Sequence, residues 1–273
     1  MSAMTVVAVT ALAADAQRLS ALAGTLARYG LKALGGVWET TPQKVAALDW
    51  RPMVEAFVAQ RAAAWLVLAD AKALADPSVR YGLNLIAANL RSALGADFGI
   101  AVLWADAPGA DPASRPALPA QLCDALVLEP GAAWPARLVA RVHRARPASP
   151  VAADRLSVHG NEQLGQWIEL APGAGSWQGV VFAVAGEGAA IDFQATGPSG
   201  GLPETATIAY GQSGLKLESA GRAFTGWALR NEIGATASGP VSYYARVRGC
   251  PEALLWMPYT EEDDADATLL ALD

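Results

Sequence analysis

Three acidic residues stand where chemistry would be expected in an open α/β protein. Each ends a short apolar run: Asp70 closes WLVLAD, Asp106 closes AVLWAD and Glu129 follows ALVL in ALVLEPG. If those runs are parallel strands, the three carboxylates meet at the carboxyl edge of one sheet, where such folds bind ligands. Oxygen ligands converging there would hold Mg²⁺ for a phosphorylated or nucleotide ligand. Carboxylates between strand and helix also serve as helix caps and turn formers, the more ordinary role. The other reactive side chains are sparse. The two histidines are His143, within the basic run RVHRAR, and His159, in SVHGNEQ beside Glu162 and Gln163. The two cysteines, Cys123 and Cys250, lie far apart in sequence and form no CxxC or zinc spacing. There is no G-x-S-x-G elbow and no HxH or HxxxH pair, so the usual hydrolase and zinc-enzyme arrangements have no parts here. Gly173, Gly175 and Gly179 lie between apolar β-like runs and open no helix, so they read as a loop and not as a phosphate cradle.

The elements that would carry these residues fall into two halves. In residues 1–146, short apolar runs alternate with amphipathic stretches. TVVAVT, LKALGGVW, WLVLA, GIAVLW and the LVL of CDALVLEPG read as strands. Between them, Asp15–Tyr29 has apolar residues at Leu19, Leu22 and Leu26, and Asp76-Pro77-Ser78 opens a helix over Val79–Leu94. A basic-faced helix runs over Trp134–Arg146. Continuous apolar strands alternating with helices predict a doubly wound, flavodoxin-like parallel sheet. Residues 147–152, within a Pro- and Ala-rich stretch, read as a linker. From 153 to 260 the helical period gives way to short runs of β character with Gly and Pro between them, which predicts an antiparallel β-sandwich or jelly roll. Residues 261–273 read as an acidic tail, beginning EEDD, whose Leu269, Leu270 and Leu272 would seat on a partner or on the sheet.

The element order of the first half resembles that of response-regulator receiver domains. LAADAQRLSALAGTLARYG takes the place of their first helix, Asp70 that of the phospho-accepting aspartate, and LEPG that of a Lys-Pro turn. The chain has Thr10-Ala11 where the family carries an acidic pair, and Glu129 where it carries the lysine. A carboxylate in the lysine position repels a phosphoryl group, so the resemblance implies the fold and not phospho-acceptor chemistry. TIR-type domains share the topology too. The helix after Asp70 holds none of the Trp-Cys-x-x-Glu arrangement of their glycohydrolases.

Composition narrows the function classes. The 273 residues carry a net charge of -6, with 53% hydrophobic and 17% charged residues, which excludes a disordered chain and argues against a chain-wide grip on nucleic acid. No run approaches the ~20 apolar residues of a membrane span. The opening residues lack a basic start and read as a strand, so the chain is expected to be cytoplasmic. In the β half, strict alternation in Val241–Arg248 puts Tyr243, Ala245 and Val247 on one face. Tyr244, Arg246 and Arg248 fall on the other, where they would meet a partner. These features point to a non-catalytic binding, regulatory or assembly protein that works through protein–protein contacts, with a second protein or its own copy as partner and without a cofactor. One alternative is the Mg²⁺-dependent enzyme or sensor built on Asp70, Asp106 and Glu129. A second is a carbohydrate-binding module using Trp167, Trp177, Trp227 or Tyr244.

Overall fold

A computed structural model describes residues 4–13, 15–105, 111–144, 154–209, 211–259 and 266–273. Asp106, the expected linker 147–152 and the EEDD run lie outside the described residues. The chain divides into two compact units, residues 1–41 with 50–149, and residues 42–49 with 150–273. No helix among the described residues is long and apolar enough to cross a membrane.

The first unit is built from β1 (Thr5–Ala11), α1 (Ala16–Arg28) and β2 (Leu31–Val37). After α2 (Pro42–Ala46), which groups with the second unit, come α3 (Arg51–Ala59), β3 (Ala64–Ala69), α4 (Ala71–Leu74), α5 (Pro77–Leu94), β4 (Gly99–Trp104), β5 (Leu126–Leu128) and α6 (Trp134–His143). The five strands pair in parallel in the order β2-β1-β3-β4-β5, the flavodoxin-like doubly wound order. Every residue of β3 and β4 is buried, as expected when helices cover both faces. On one face Val7, Val9, Leu66, Leu68 and Leu103 pack against Leu22 and Leu26 of α1 and Leu138 of α6.

Local sequence explains the helix boundaries. Asp15 caps α1 by accepting from the Arg18 N–H, and Asp76 caps α5 just before Pro77. Gly35 is glycine because its backbone has φ +132° and a Cβ there would lie 2.0 Å from the Val9 carbonyl oxygen on the neighbouring strand. The long 111–125 connection is fastened to α5 by three side chains. Arg80 donates to the Ala117 carbonyl, Arg91 to the Gln121 carbonyl and the Asp124 carboxylate, and the Asn84 carbonyl accepts from the Gln121 N–H.

The second unit is antiparallel. Its strands are β6 (Arg155–Asn161), β7 (Gly165–Ala171), β8 (Ser176–Trp177), β9 (Val180–Ala185), β10 (Ala190–Pro198), β11 (Gln212–Ser219), β12 (Arg222–Leu229), β13 (Ile233–Thr236), β14 (Gly239–Arg248), β15 (Ala253–Pro258) and β16 (Thr268–Ala271). They form two sheets, β6-β7-β14-β13-β8 with β10 along β14, and β11-β12-β9-β15-β16. Phe182 of one sheet meets Tyr243 of the other with ring centroids 5.7 Å apart. Between the sheets Gln194 accepts from the Tyr243 hydroxyl and donates to the Ala228 carbonyl, so this buried amide has partners at both ends. In β6, Leu156 and Val158 point inward while Ser157 and His159 face the other way. Thr207, outside the named strands, forms an isolated antiparallel bridge with Thr196 of β10.

The first unit holds one buried polar contact that its packing depends on. Thr10 is fully buried; its hydroxyl accepts from Trp65 Nε1 at 2.9 Å and donates to Met53 Sδ on α3 at 3.4 Å. Thr10→Val keeps the shape and strands the indole N–H, a loss of about 2 kcal/mol. Urea unfolding is expected to show a lowered midpoint with an unchanged slope.

Candidate functional site

Two of the three strand-end carboxylates are engaged within the chain. Asp70 is the N-cap of α4, accepting from the Ala73 N–H at 2.7 Å. Glu129 takes both ends of the Arg115 guanidinium, at 2.6 and 2.9 Å, and that guanidinium lies 4.5 Å from the centre of the Trp104 ring. Asp106 lies outside the described residues. Among those residues no group of three or more His, Cys, Asp or Glu side chains is placed to hold a metal ion.

A different constellation forms on the outer face of the sheet that carries β14. Strand β14 runs between β7 and β10, so Arg246 has Trp167 beside it on one side and Phe193 on the other. Strict alternation along AIDFQA would place Ile191, Phe193 and Ala195 on one face. A β-bulge between Ile191 and Phe193 inserts Asp192 and turns Phe193 outward while Ile191 stays in the core. The Asp192 carboxylate accepts from Arg246 Nε at 2.6 Å and from Arg248 Nε at 2.5 Å. Burial pushes the Asp192 carboxyl up, but the two arginine hydrogen bonds outweigh it and hold the group below the usual aspartate range. With both guanidinium groups fixed, Arg246 lies 5.7 Å over the Trp167 ring, and Trp167 meets Phe193 edge to face at 5.5 Å. Phe193 remains 40% exposed, and beside it a cleft of about 290 Å³ is bordered by Ile208 and Trp227.

Tyr244 lies on this same face but does not reach solvent. It is fully buried, with its hydroxyl donating to the Pro198 carbonyl at 2.6 Å. The alternation was read correctly as to face, but the chain after β10 folds back over it. Tyr244 is therefore part of the interior, and Trp167 and Phe193 are the aromatic residues that this face leaves accessible.

Beneath that covering segment is a hydrogen-bonded network. Glu169, on β7 beside Tyr244, accepts from the Ser242 hydroxyl at 2.7 Å and from the Gly200 N–H at 2.9 Å. Its second oxygen lies 2.5 Å from His159 Nε2, and Ser242 in turn meets the Ser199 hydroxyl at 2.6 Å. Burial raises the Glu169 pKa, while the contacts with His159, Gly200 and Ser242 together bring it below the ordinary glutamate value. Burial first, and the nearby Glu169 charge second, push the Tyr244 phenol well up. His159 thus pairs across β6 and β7 with Glu169, not with Glu162 and Gln163, which sit at the turn where Asn161 accepts from the Gln163 and Leu164 N–H groups.

Leu269 and Leu270 are strand residues, and Leu272 follows the strand. In β16, Leu269 stands opposite Leu255 and Leu270 opposite Leu254, while Leu272 is 1% exposed. An ion pair between Asp273 and Arg222 ties the end of the chain to β12. Leu269 and Leu270 thus belong to the edge strand of their own sheet, and Leu272 is buried just beyond it.

No family model matches the chain, and no curated protein or solved structure matches it. The functional reading accordingly rests on the geometry of this face.

Glu169→Ala would leave His159, Ser242 and the Gly200 N–H without their shared acceptor, at a cost of about 3 kcal/mol at neutral pH. Because the folded-state pKa is depressed, the stabilisation is present above the ordinary value of 4.5 and is lost as pH falls through the folded value. Urea midpoints measured from pH 7 downward are expected to show the gap between wild type and variant closing only in the acid range.

Proposed function

We propose that the chain is a non-catalytic binding protein that works through protein–protein contacts, and that the outer face around Trp167, Arg246 and Phe193 is its contact surface. The observation that carries this reading is the row itself: two aromatics and an arginine, aligned across three strands, with Phe193 standing in solvent. Trp, Tyr and Arg supply most hot spots at protein interfaces, because they bring large area and directional hydrogen bonds at low entropic cost. Leu164, half exposed at the turn below, accepts from Trp167 Nε1 through its carbonyl and extends the apolar rim.

Charge indicates what the partner presents. Residues 151–273 carry 6 Lys+Arg against 15 Asp+Glu. Two of those 6 basic residues stand together on this face, sharing the single Asp192 carboxylate. The face is therefore a basic spot on an acidic half, suited to a protein segment that places a carboxylate beside an apolar side chain. The engagement of Asp70 as a cap and of Glu129 by Arg115 favours this reading over Mg²⁺ chemistry at the parallel sheet. Carbohydrate stacking is less well supported, since Trp177 and Tyr244 are buried.

The test compares wild type with the double variant Phe193→Ser, Arg248→Glu, and with Lys216→Glu on the exposed β11 as a control. Proteins retained by wild type and by K216E but lost from the double variant support the surface, provided circular dichroism shows the variants folded. A self-associated state by light scattering that the double variant abolishes would identify the partner as a second copy. An unchanged set of bound proteins and an unchanged oligomeric state in the double variant would contradict the proposal.

A further inference from the structure

The first unit carries a groove that the contact surface does not use. It opens at the carboxyl ends of β3 and β4, beside the first turns of α1 and α6, and encloses about 360 Å³. That is within the size range of small-molecule pockets. Leu22, Leu68, Leu103, Trp104 and Trp134 make its walls mainly apolar, and Arg18 stands at its rim. Arg18 is held in place: its Nε is 3.0 Å from Asp15, and its Nη1 donates to the Ala105 carbonyl at 2.5 Å. Its Nη2 has no contact among the described residues, so the fork presents a fixed donor to whatever enters. We propose that this groove is a binding site for a small aromatic monocarboxylate, with the ring between Trp104, Trp134 and the leucines and the carboxylate on Arg18.

The walls and the rim each restrict the ligand. Apart from the two indole N–H groups and the Thr25 hydroxyl, the side chains lining the body of the groove offer no hydrogen-bond partner, so a sugar or a nucleoside entering it would leave most of its polar groups unpaired. A flat apolar ring has nothing to leave unpaired and gains the aromatic contacts. Among the described residues the rim offers one guanidinium, already paired with Asp15, so its remaining N–H donors can take one carboxylate while the pair lacks the net positive charge to hold a phosphate dianion. The turn from β1 into α1 holds no glycine through which backbone N–H groups could cradle a phosphate. The site is independent of the outer face of the other unit, and either reading can fail without the other.

Phenylacetate and its neutral analogue phenylacetamide, titrated calorimetrically into the full chain, test the assignment. Phenylacetate is expected to bind saturably with a dissociation constant on the order of 0.1–1 mM, appropriate to a ligand of so few atoms. Arg18→Ala, at an exposed position, is expected to weaken phenylacetate about tenfold and to leave phenylacetamide unchanged. Ala21→Trp, from an exposed position of α1 that lines the groove, fills it and is expected to abolish binding of both without touching the core. The absence of saturable phenylacetate binding, or binding that persists in A21W, overturns the proposal.

Discussion

One carboxylate sets the geometry of the outer face on which the functional reading rests. Asp192 is pushed out of strand register by a bulge, and its side chain is 12% exposed between two arginines. Were Asp192 absent, Arg246 and Arg248 would stand side by side as unpaired like charges on long flexible stems. With it present, both are fixed, and Arg246 is held over Trp167. The same bulge reverses the facing of the residues that follow, so that Phe193 meets Trp167 instead of entering the core. Electrostatics and backbone geometry thus act through a single inserted residue. The arrangement exchanges a continuous ladder for a pre-ordered aromatic and cationic surface, and pre-ordering is what lets a modest patch bind with little entropic cost.

The covered part of the face adjoins the exposed part on the same strands. Glu169 and Tyr244 are neighbours of Trp167 and Arg246 along β7 and β14, and both are bonded to the segment that folds back after β10. A carboxylate buried with three partners is stable only while all three remain, so the network fixes that segment in one position. Phe193 and Ala195 lie on the strand that leads into it, which couples the shape of the surface to the integrity of the interior.

The strongly periodic elements were legible in the sequence. Continuous apolar runs such as WLVLA and GIAVLW and capped helices such as the one after Asp76 are set by local chemistry, and they produced the parallel sheet. The alternating runs with turns between them produced the antiparallel half. Less of the candidate site was legible, and the reasons are specific. Tyr244 was assigned correctly to a face, but alternation carries no information about a loop crossing that face. Phe193 was hidden because a bulge breaks the period of two, and AIDFQA reads as an unbroken strand. Glu169 carries no local signal of burial; its partners Ser242 and Gly200 are distant in sequence. The C-terminal leucines were ambiguous because an edge strand and a docking tail share the same composition.

The central claim is that Phe193 and the arginines beside it touch another protein chain. Site-specific photo-crosslinking addresses it directly, with a benzophenone-bearing residue installed at position 193 and, as a reference, at Lys216 on the exposed β11, in cells that make the protein. A discrete crosslinked protein adduct is expected from position 193 and none of that mass from position 216. The same adducts from both positions, or none from position 193, would contradict it.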